Sequence, residues 1–313
     1  MKIITLAASV LALSAGFAAA EVTLSGDARM GIISSFDLLD GAPNATGGFN
    51  PIGVNESDLA FTSRARVKFT LSGSSDGGLE FGASFRADNA GAASSGTAGS
   101  VFISGAFGKL SMGDVDGAAN AAIGQVSGVG LTGLNDVNEI YFNNGGSYLT
   151  TDPSALYEYS TGDLTIYAAV TQPSGASDAY GVGVKYALGD YTVSAAYERL
   201  DFAGLQYKDI YVGGTASFGA VTVKAIFGQE TIAGFSGNGN QWAVSVDYKA
   251  DALTVTAFYA DDSELGLTVD GRTEGYGLGA SYDLGGGASV VGGYVKNVET
   301  DLAAYDLGVA MSF

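Results

Sequence analysis

Stretch after stretch of this chain alternates, residue by residue, between apolar and polar side chains, and a period of two dictates strands. From Glu21 to Ile32, the set Glu21, Thr23, Ser25, Asp27 and Arg29 alternates with Val22, Leu24, Gly26, Ala28, Met30 and Ile32. Further on, Leu59, Phe61, Ala65, Val67, Phe69 and Leu71 share one phase, and Thr62, Arg64, Arg66, Lys68 and Thr70 the other. A third run sets Leu79, Phe81, Ala83, Phe85 and Ala87 against Glu80, Gly82, Ser84, Arg86 and Asp88. Successive side chains of a strand point to opposite faces, so each run has one wet face and one apolar face.

The runs are joined in two ways. Ser72 to Gly78, Phe107-Gly108-Lys109, Thr161-Gly162-Asp163, Leu188-Gly189-Asp190, Phe218-Gly219-Ala220, Lys249-Ala250-Asp251 and Leu284 to Gly287 are short and mostly carry Gly or Asp, which is hairpin chemistry. Seven hairpins, an N-terminal strand and a last strand from Tyr305 to Phe313 make sixteen strands. The other connections are longer and rich in Gly, Asn, Ser, Asp and Pro: near 35–58, 89–98, 115–153, 171–178, 200–208, 231–240, 261–271 and 297–304. Sixteen strands of ~11 residues use about 176 residues and leave the rest for connections. The expected fold is all-β: a transmembrane antiparallel barrel with short periplasmic turns and long external loops. Tyr141, Tyr148, Tyr157, Tyr180, Tyr191, Tyr248, Tyr276 and Tyr282 are expected at strand ends, as interfacial girdles. Phe313 closes the alternating row Tyr305, Leu307, Val309, Met311 and resembles the insertion signal of outer-membrane proteins.

Residues 1–20 read differently. Met1-Lys2 is a positive start, Ile3 to Ala15 is mostly apolar, and Ala18-Ala19-Ala20 offers a small-residue cleavage pattern. This is a secretory signal, expected to be cut between Ala20 and Glu21, leaving residues 21–313 as one domain. Beyond it no 18-residue apolar run occurs, which excludes a helical membrane protein.

With neither Cys nor His in its 313 residues, the chain has no disulfide, no thiolate or imidazole metal ligand, and no Ser-His or Cys-His pair. Without Lys2, 13 basic residues face 33 acidic ones, a net charge of −20. That argues against nucleic acid and suits a cation-preferring channel or a rim bathed in divalent cations.

Several stretches resemble the general porins of the alphaproteobacterial type. They are Glu21-Val22-x-Leu24-Ser25-Gly26-Asp27-Ala28-Arg29-Met30-Gly31, then Ser63-Arg64-x-Arg66-Val67, then Gly78-Leu79-Glu80-Phe81-Gly82-Ala83-Ser84-Phe85. Val101-Phe102-x-Ser104-Gly105-Ala106-Phe107-Gly108-Lys109 runs on to Met112-Gly113-Asp114, and Tyr282-Asp283-Leu284-Gly285-Gly286-Gly287-Ala288 and Val291-Gly292-Gly293 complete the set. The resemblance covers the mature chain and implies a passive channel in the Gram-negative outer membrane, a homotrimer, and a third loop folded into the lumen. The longest connection, 115–153, is also the third.

Four of the six arginines, Arg29, Arg64, Arg66 and Arg86, lie on the polar phase of three neighbouring strands. Eight residues of strand climb about 19 Å at ~45° tilt, which puts all four near mid-barrel, with Lys68 lower on the same face. The third loop supplies Asp114, Asp116, Asp136 and Glu139, and the resemblance implies that this loop faces the basic wall across a narrow gap. Opposed rows of charge make a transverse field in which small hydrophilic solutes and ions pass and apolar ones are disfavoured. Acids on the other long loops (Asp37, Asp40, Glu56, Asp58, Asp261, Asp262, Glu264, Asp270, Glu299, Asp301) are a soluble rim or, as the second reading, bind Ca2+ and bridge to lipopolysaccharide phosphates. No cofactor is required. A channel with a saturable solute site, an outer-membrane enzyme built on carboxylates, and a secreted β adhesin are the competing readings; conductance, hydrolysis and extractability separate them.

Overall fold

A computed structural model describes residues 21–34, 59–88, 99–143, 154–171, 177–262, 274–298 and 301–313. The signal reading at 1–20 and the tips of several long loops, Tyr148 among them, lie outside the described residues.

The strands are β1 (Glu21–Ser34), β2 (Leu59–Ser74), β3 (Glu80–Asp88), β4 (Ser100–Gly105), β5 (Gly108–Gly113), β6 (Ser154–Thr161), β7 (Leu164–Val170) and β8 (Ser177–Leu188). Then follow β9 (Tyr191–Phe202), β10 (Leu205–Phe218), β11 (Val221–Ile232), β12 (Gly239–Ala250), β13 (Leu253–Asp261), β14 (Gly275–Gly285), β15 (Ala288–Asn297) and β16 (Ala303–Ser312). Each pairs antiparallel with its neighbours in sequence, and β16 returns to β1, closing a sixteen-stranded barrel. Closure satisfies every ladder and leaves no edge, the condition for crossing hydrocarbon with strands. At the seam the last residue joins in: Phe313 N–H donates to Gly26 O at 2.9 Å and Gly26 N–H to Phe313 O at 3.2 Å. The Phe313 side chain is 80% exposed, so the expected terminal aromatic stands free on the outside.

All seven short hairpins occur where the Gly/Asp turns lie. Along β10 the outward residues Ile210, Val212 and Phe218 are exposed, and Tyr207, Asp209 and Tyr211 on the opposite phase are buried. The apolar phase therefore faces outward and the polar phase inward. Tyr180, Tyr191, Tyr248, Tyr276 and Tyr282 are exposed on the outer face, as a girdle requires. Tyr157 is half-buried in β6 and donates its hydroxyl to Phe107 O.

Two expectations fail. The span 200–208 is not a long loop, because β9 and β10 join through Ala203-Gly204 alone, and the ladder runs to the pair Leu205–Phe202. Both turn residues have positive φ, 51° and 83°, the geometry that matches strand twist in a two-residue hairpin; Gly204 adopts it without strain. Leu200 and Tyr207 bury against Ala179 and hold the ladder closed. Tyr141 is not at a strand end either. It lies in the third connection, where its N–H donates to Gln241 Oε1 at 2.7 Å and its carbonyl accepts from Gln241 Nε2 and from the Tyr211 hydroxyl.

Candidate functional site

The third connection is described from Asp114 to Asn143, and it lies against the inward face of the barrel. It holds one short helix, α1 (Ala118–Ile123), and a single 3-10 turn at Leu134–Asp136. Helix α1 packs on β7 to β10, and the 3-10 turn on β15 and β16. Ala118, Ala119, Ala122, Ile123, Val126, Val129, Leu134 and Ile140 are buried in this seat. Each fully buried Val, Leu or Ile contributes roughly 1.5–3 kcal/mol, enough to hold a segment with little regular structure of its own.

The seat is made of glycines and acids. A Cβ on Gly293 would stand 2.5 Å from Gly130 N, and one on Gly183 would stand 2.7 Å from Ala118 O, so backbone lies directly on backbone. Acidic side chains then take up the loop's N–H groups. Asp306 Oδ1 accepts from Leu131 N at 2.9 Å, and its Oδ2 accepts from Thr132 N and Thr132 Oγ1, both at 2.7 Å. Ser245 Oγ accepts from Ser127 N at 3.1 Å, and Asp247 Oδ2 from Ser127 Oγ at 2.7 Å. Glu198 accepts from Ala119 N at 3.3 Å and Asn143 N at 2.9 Å, while Asn143 Nδ2 donates to Asp209. Near the C-terminal end of α1, Lys185 Nζ and Lys224 Nζ donate to Ala121 O (3.4 Å) and Ile123 O (2.7 Å), where cations suit exposed carbonyls.

On β1 and β2 the arginines gather, but around an acid of the wall itself. The register sets Asp27 opposite Arg66 and Arg29 opposite Arg64. Asp27 takes Arg66 at 2.9 Å and Arg64 at 3.2 Å. Arg29 is only 8% exposed; its Nη1 donates to Leu131 O at 3.5 Å, so it lies under the loop instead of lining open lumen. Lys68 is exposed and stands opposite half-buried Arg86. Of the loop acids, Asp114, Asp116 and Asp136 are exposed and Glu139 is half-buried. Asp116 accepts from Asn120 Nδ2 at 2.8 Å. Glu21 opens β1 opposite Ser72. Among the rim acids, Asp262 is buried and Asp301 pairs with Lys296 at 2.7 Å. No group of three or more acids is placed to hold a metal ion among the described residues.

The profile of the Gram-negative porin family matches residues 7–301. The chain belongs to that family. It is 37% identical to a porin of Rhodobacter capsulatus over 94% of this chain and all of that one. A porin of Fuscovulum blasticum is 26% identical over 83% of this chain and 94% of its own length. A porin structure refined at 1.8 Å superposes with a TM-score of 0.74 at 33% identity, covering 94% of this chain and the whole of that one. A mutant of Rh. blastica porin shares the fold, with a TM-score of 0.70 at 23% identity. The porin is thus an integral barrel of the Gram-negative outer membrane.

Within the porin, sequence reading missed the acids that fasten the third connection to the wall, Glu198, Asp209 and Asp306 among them. Asp27, Glu198, Asp209, Glu230 and Asp306 all sit on the inward phase, and that phase was the available signal. Glu198, Asp209 and Glu230 are directly opposed across β9, β10 and β11, and all three are buried. The glycine seat yields a direct expectation. Gly293→Val puts methyls into the Gly130 backbone and is expected to lift the loop, at a cost of about 1–3 kcal/mol. Single-channel recordings should show a larger and noisier current; a wild-type trace would show that the loop does not depend on this contact.

Proposed function

We propose that the porin is a passive diffusion channel for ions and small hydrophilic solutes, narrowed by residues 114–143 and mildly selective for cations. The observation that carries this reading is the seat of the third connection: a long segment fastened to the inward face, presenting Asp114, Asp116, Asp136 and Glu139 while Arg64, Arg66, Lys68 and Arg86 line the wall of β2 and β3. Arg29 supports the loop from beneath. The wall is partly neutralised on its own side by Asp27, which leaves the loop acids to tilt the balance toward cations. Passage is diffusion, and no bond is made or broken. The functional unit is a homotrimer of mature chains beginning at Glu21.

The test is planar-bilayer conductance with the reversal potential in a salt gradient. Conductance linear in salt with a small cation preference is expected, and anion preference would overturn the charge assignment. Asp27→Ala leaves Arg64 and Arg66 without their carboxylate and should move the reversal potential toward anions. Arg66→Ala should move it the other way. Shifts of the same sign in both variants would show that this triad does not govern selectivity.

A further inference from the structure

The hairpin at Ala203-Gly204 carries β9 and β10 to the external end of the barrel, and the outer face just below it sets two cations opposite each other. Tyr180, Arg199, Lys208 and Thr231 form one row across β8, β9, β10 and β11, each directly opposite the next in register. They alternate along their strands with buried Ala179, Leu200, Asp209 and Glu230, so all four point out of the barrel toward lipid. One step down the same faces come Val182 and Ile210, 54% and 58% exposed, and then Val212 and Phe227. From Ile210 to the exposed Phe218 near the end of β10 the strand descends about 19 Å, and an apolar band is ~25 Å tall. Arg199 and Lys208 therefore sit at its upper border, the level of outer-leaflet headgroups.

Two cations opposed on neighbouring strands repel each other, and a lysine on a lipid-facing wall is tolerated only near the interface. Arg199 is partly compensated: it pairs with Asp201 at 2.7 Å, reaches the Tyr180 hydroxyl at 3.4 Å and stands 5.7 Å from the centre of the Tyr180 ring. Gln206 Nε2 also donates to Asp201, at 3.1 Å. Lys208 is exposed, and although Asp201 is within electrostatic reach, it makes neither a hydrogen bond nor an ion pair among the described residues. Nearer the water, on the same face, Asp178 and Asp201 stand opposite each other. Two acids there discourage a free anion arriving from solvent but not one presented from the membrane side.

We propose that Arg199 and Lys208, flanked by the Tyr180 and Thr231 hydroxyls, bind the phosphate of a phosphorylated lipid headgroup in the outer leaflet, with its acyl chains lying along Val182, Ile210 and Val212. The site is on the outside of the barrel and is separate from the channel. The experiment titrates detergent-solubilised, folded porin with bisphosphorylated lipid A and with the same lipid after enzymatic dephosphorylation, counting bound lipid by native mass spectrometry. The wild type should favour the phosphorylated form. Lys208→Glu should weaken that form roughly thirtyfold, since each basic group near an anionic surface is worth about fivefold. It should leave the dephosphorylated lipid and the single-channel conductance unchanged, which reports an intact barrel. Lys208→Arg should bind as the wild type does. Equal binding of both lipids by the wild type, or a Lys208→Glu variant that keeps the preference, would overturn the site. Inorganic phosphate displacing the lipid at equal concentration would overturn its assignment to a lipid.

Discussion

Asp306→Ala is expected to free the tip of the third connection while leaving the barrel closed. Asp306 is buried on β16 and takes three hydrogen bonds from Leu131 and Thr132. It also stabilises the charge of Arg29, which is buried beneath the same tip. Alanine leaves two backbone N–H groups without their acceptor and takes from a buried guanidinium one of its two neighbouring carboxylates, the other being Asp27. Removing one partner from such an arrangement costs about 3–5 kcal/mol. The cost is avoided if residues 130–134 swing away, so it falls on the position of the loop. The ladders of β16 to β15 and β1 are backbone bonds that do not involve the carboxylate. A shift of ~3 kcal/mol changes the ratio of seated to unseated loop more than a hundredfold. Single-channel recordings should then show a severalfold larger, noisier conductance and a weaker ion preference. Asp306→Asn retains one acceptor oxygen and should fall between the two. A wild-type current from Asp306→Ala would show that the tip is held by Leu131 and Leu134 packing alone.

The strand count and the hairpins were legible because both rest on local chemistry: side-chain phase along a strand, and glycine or aspartate where a turn needs them. The shared phase of Arg64 and Arg66 was legible for the same reason. What escaped needed register. Asp27 is on the same phase as the arginines, but only the pairing of β1 with β2 sets it opposite Arg66, so the opposing acid was sought in the loop instead. The span 200–208 read as a loop because Asp201, Gln206 and Lys208 are polar. They are polar because the outward face has risen above the apolar band, while Leu200 and Tyr207 keep the strand pattern on the other side. Arg29 has the phase of a pore residue, and nothing local reveals that Leu131 covers it.

At the other end of the segment, Asn143→Asp should be more damaging than Asn143→Ala. Glu198, Asp209 and Glu230 are buried side by side on three adjacent strands, and like groups opposed across a ladder are unfavourable unless donors separate them. Asn143 supplies two such donors, its backbone N–H to Glu198 at 2.9 Å and its amide to Asp209. Alanine keeps the first and removes the second, leaving a buried carboxyl with no donor, a loss of about 1–3 kcal/mol. Aspartate turns the second into an acceptor facing an acceptor and adds a charge where three acids already meet, so several kcal/mol more is expected. Because β9, β10 and β11 are locked in the sheet, the segment yields first. The variant should insert as a closed barrel, unfold at a lower temperature than the wild type, and conduct through a wider opening. A compound variant, Asn143→Asp with Asp209→Asn, restores a donor–acceptor pair with the roles exchanged and should recover most of the loss. If it does not, Asn143 holds the loop through its backbone bond to Glu198 alone, and the three acids owe their arrangement to the sheet and not to the segment above them.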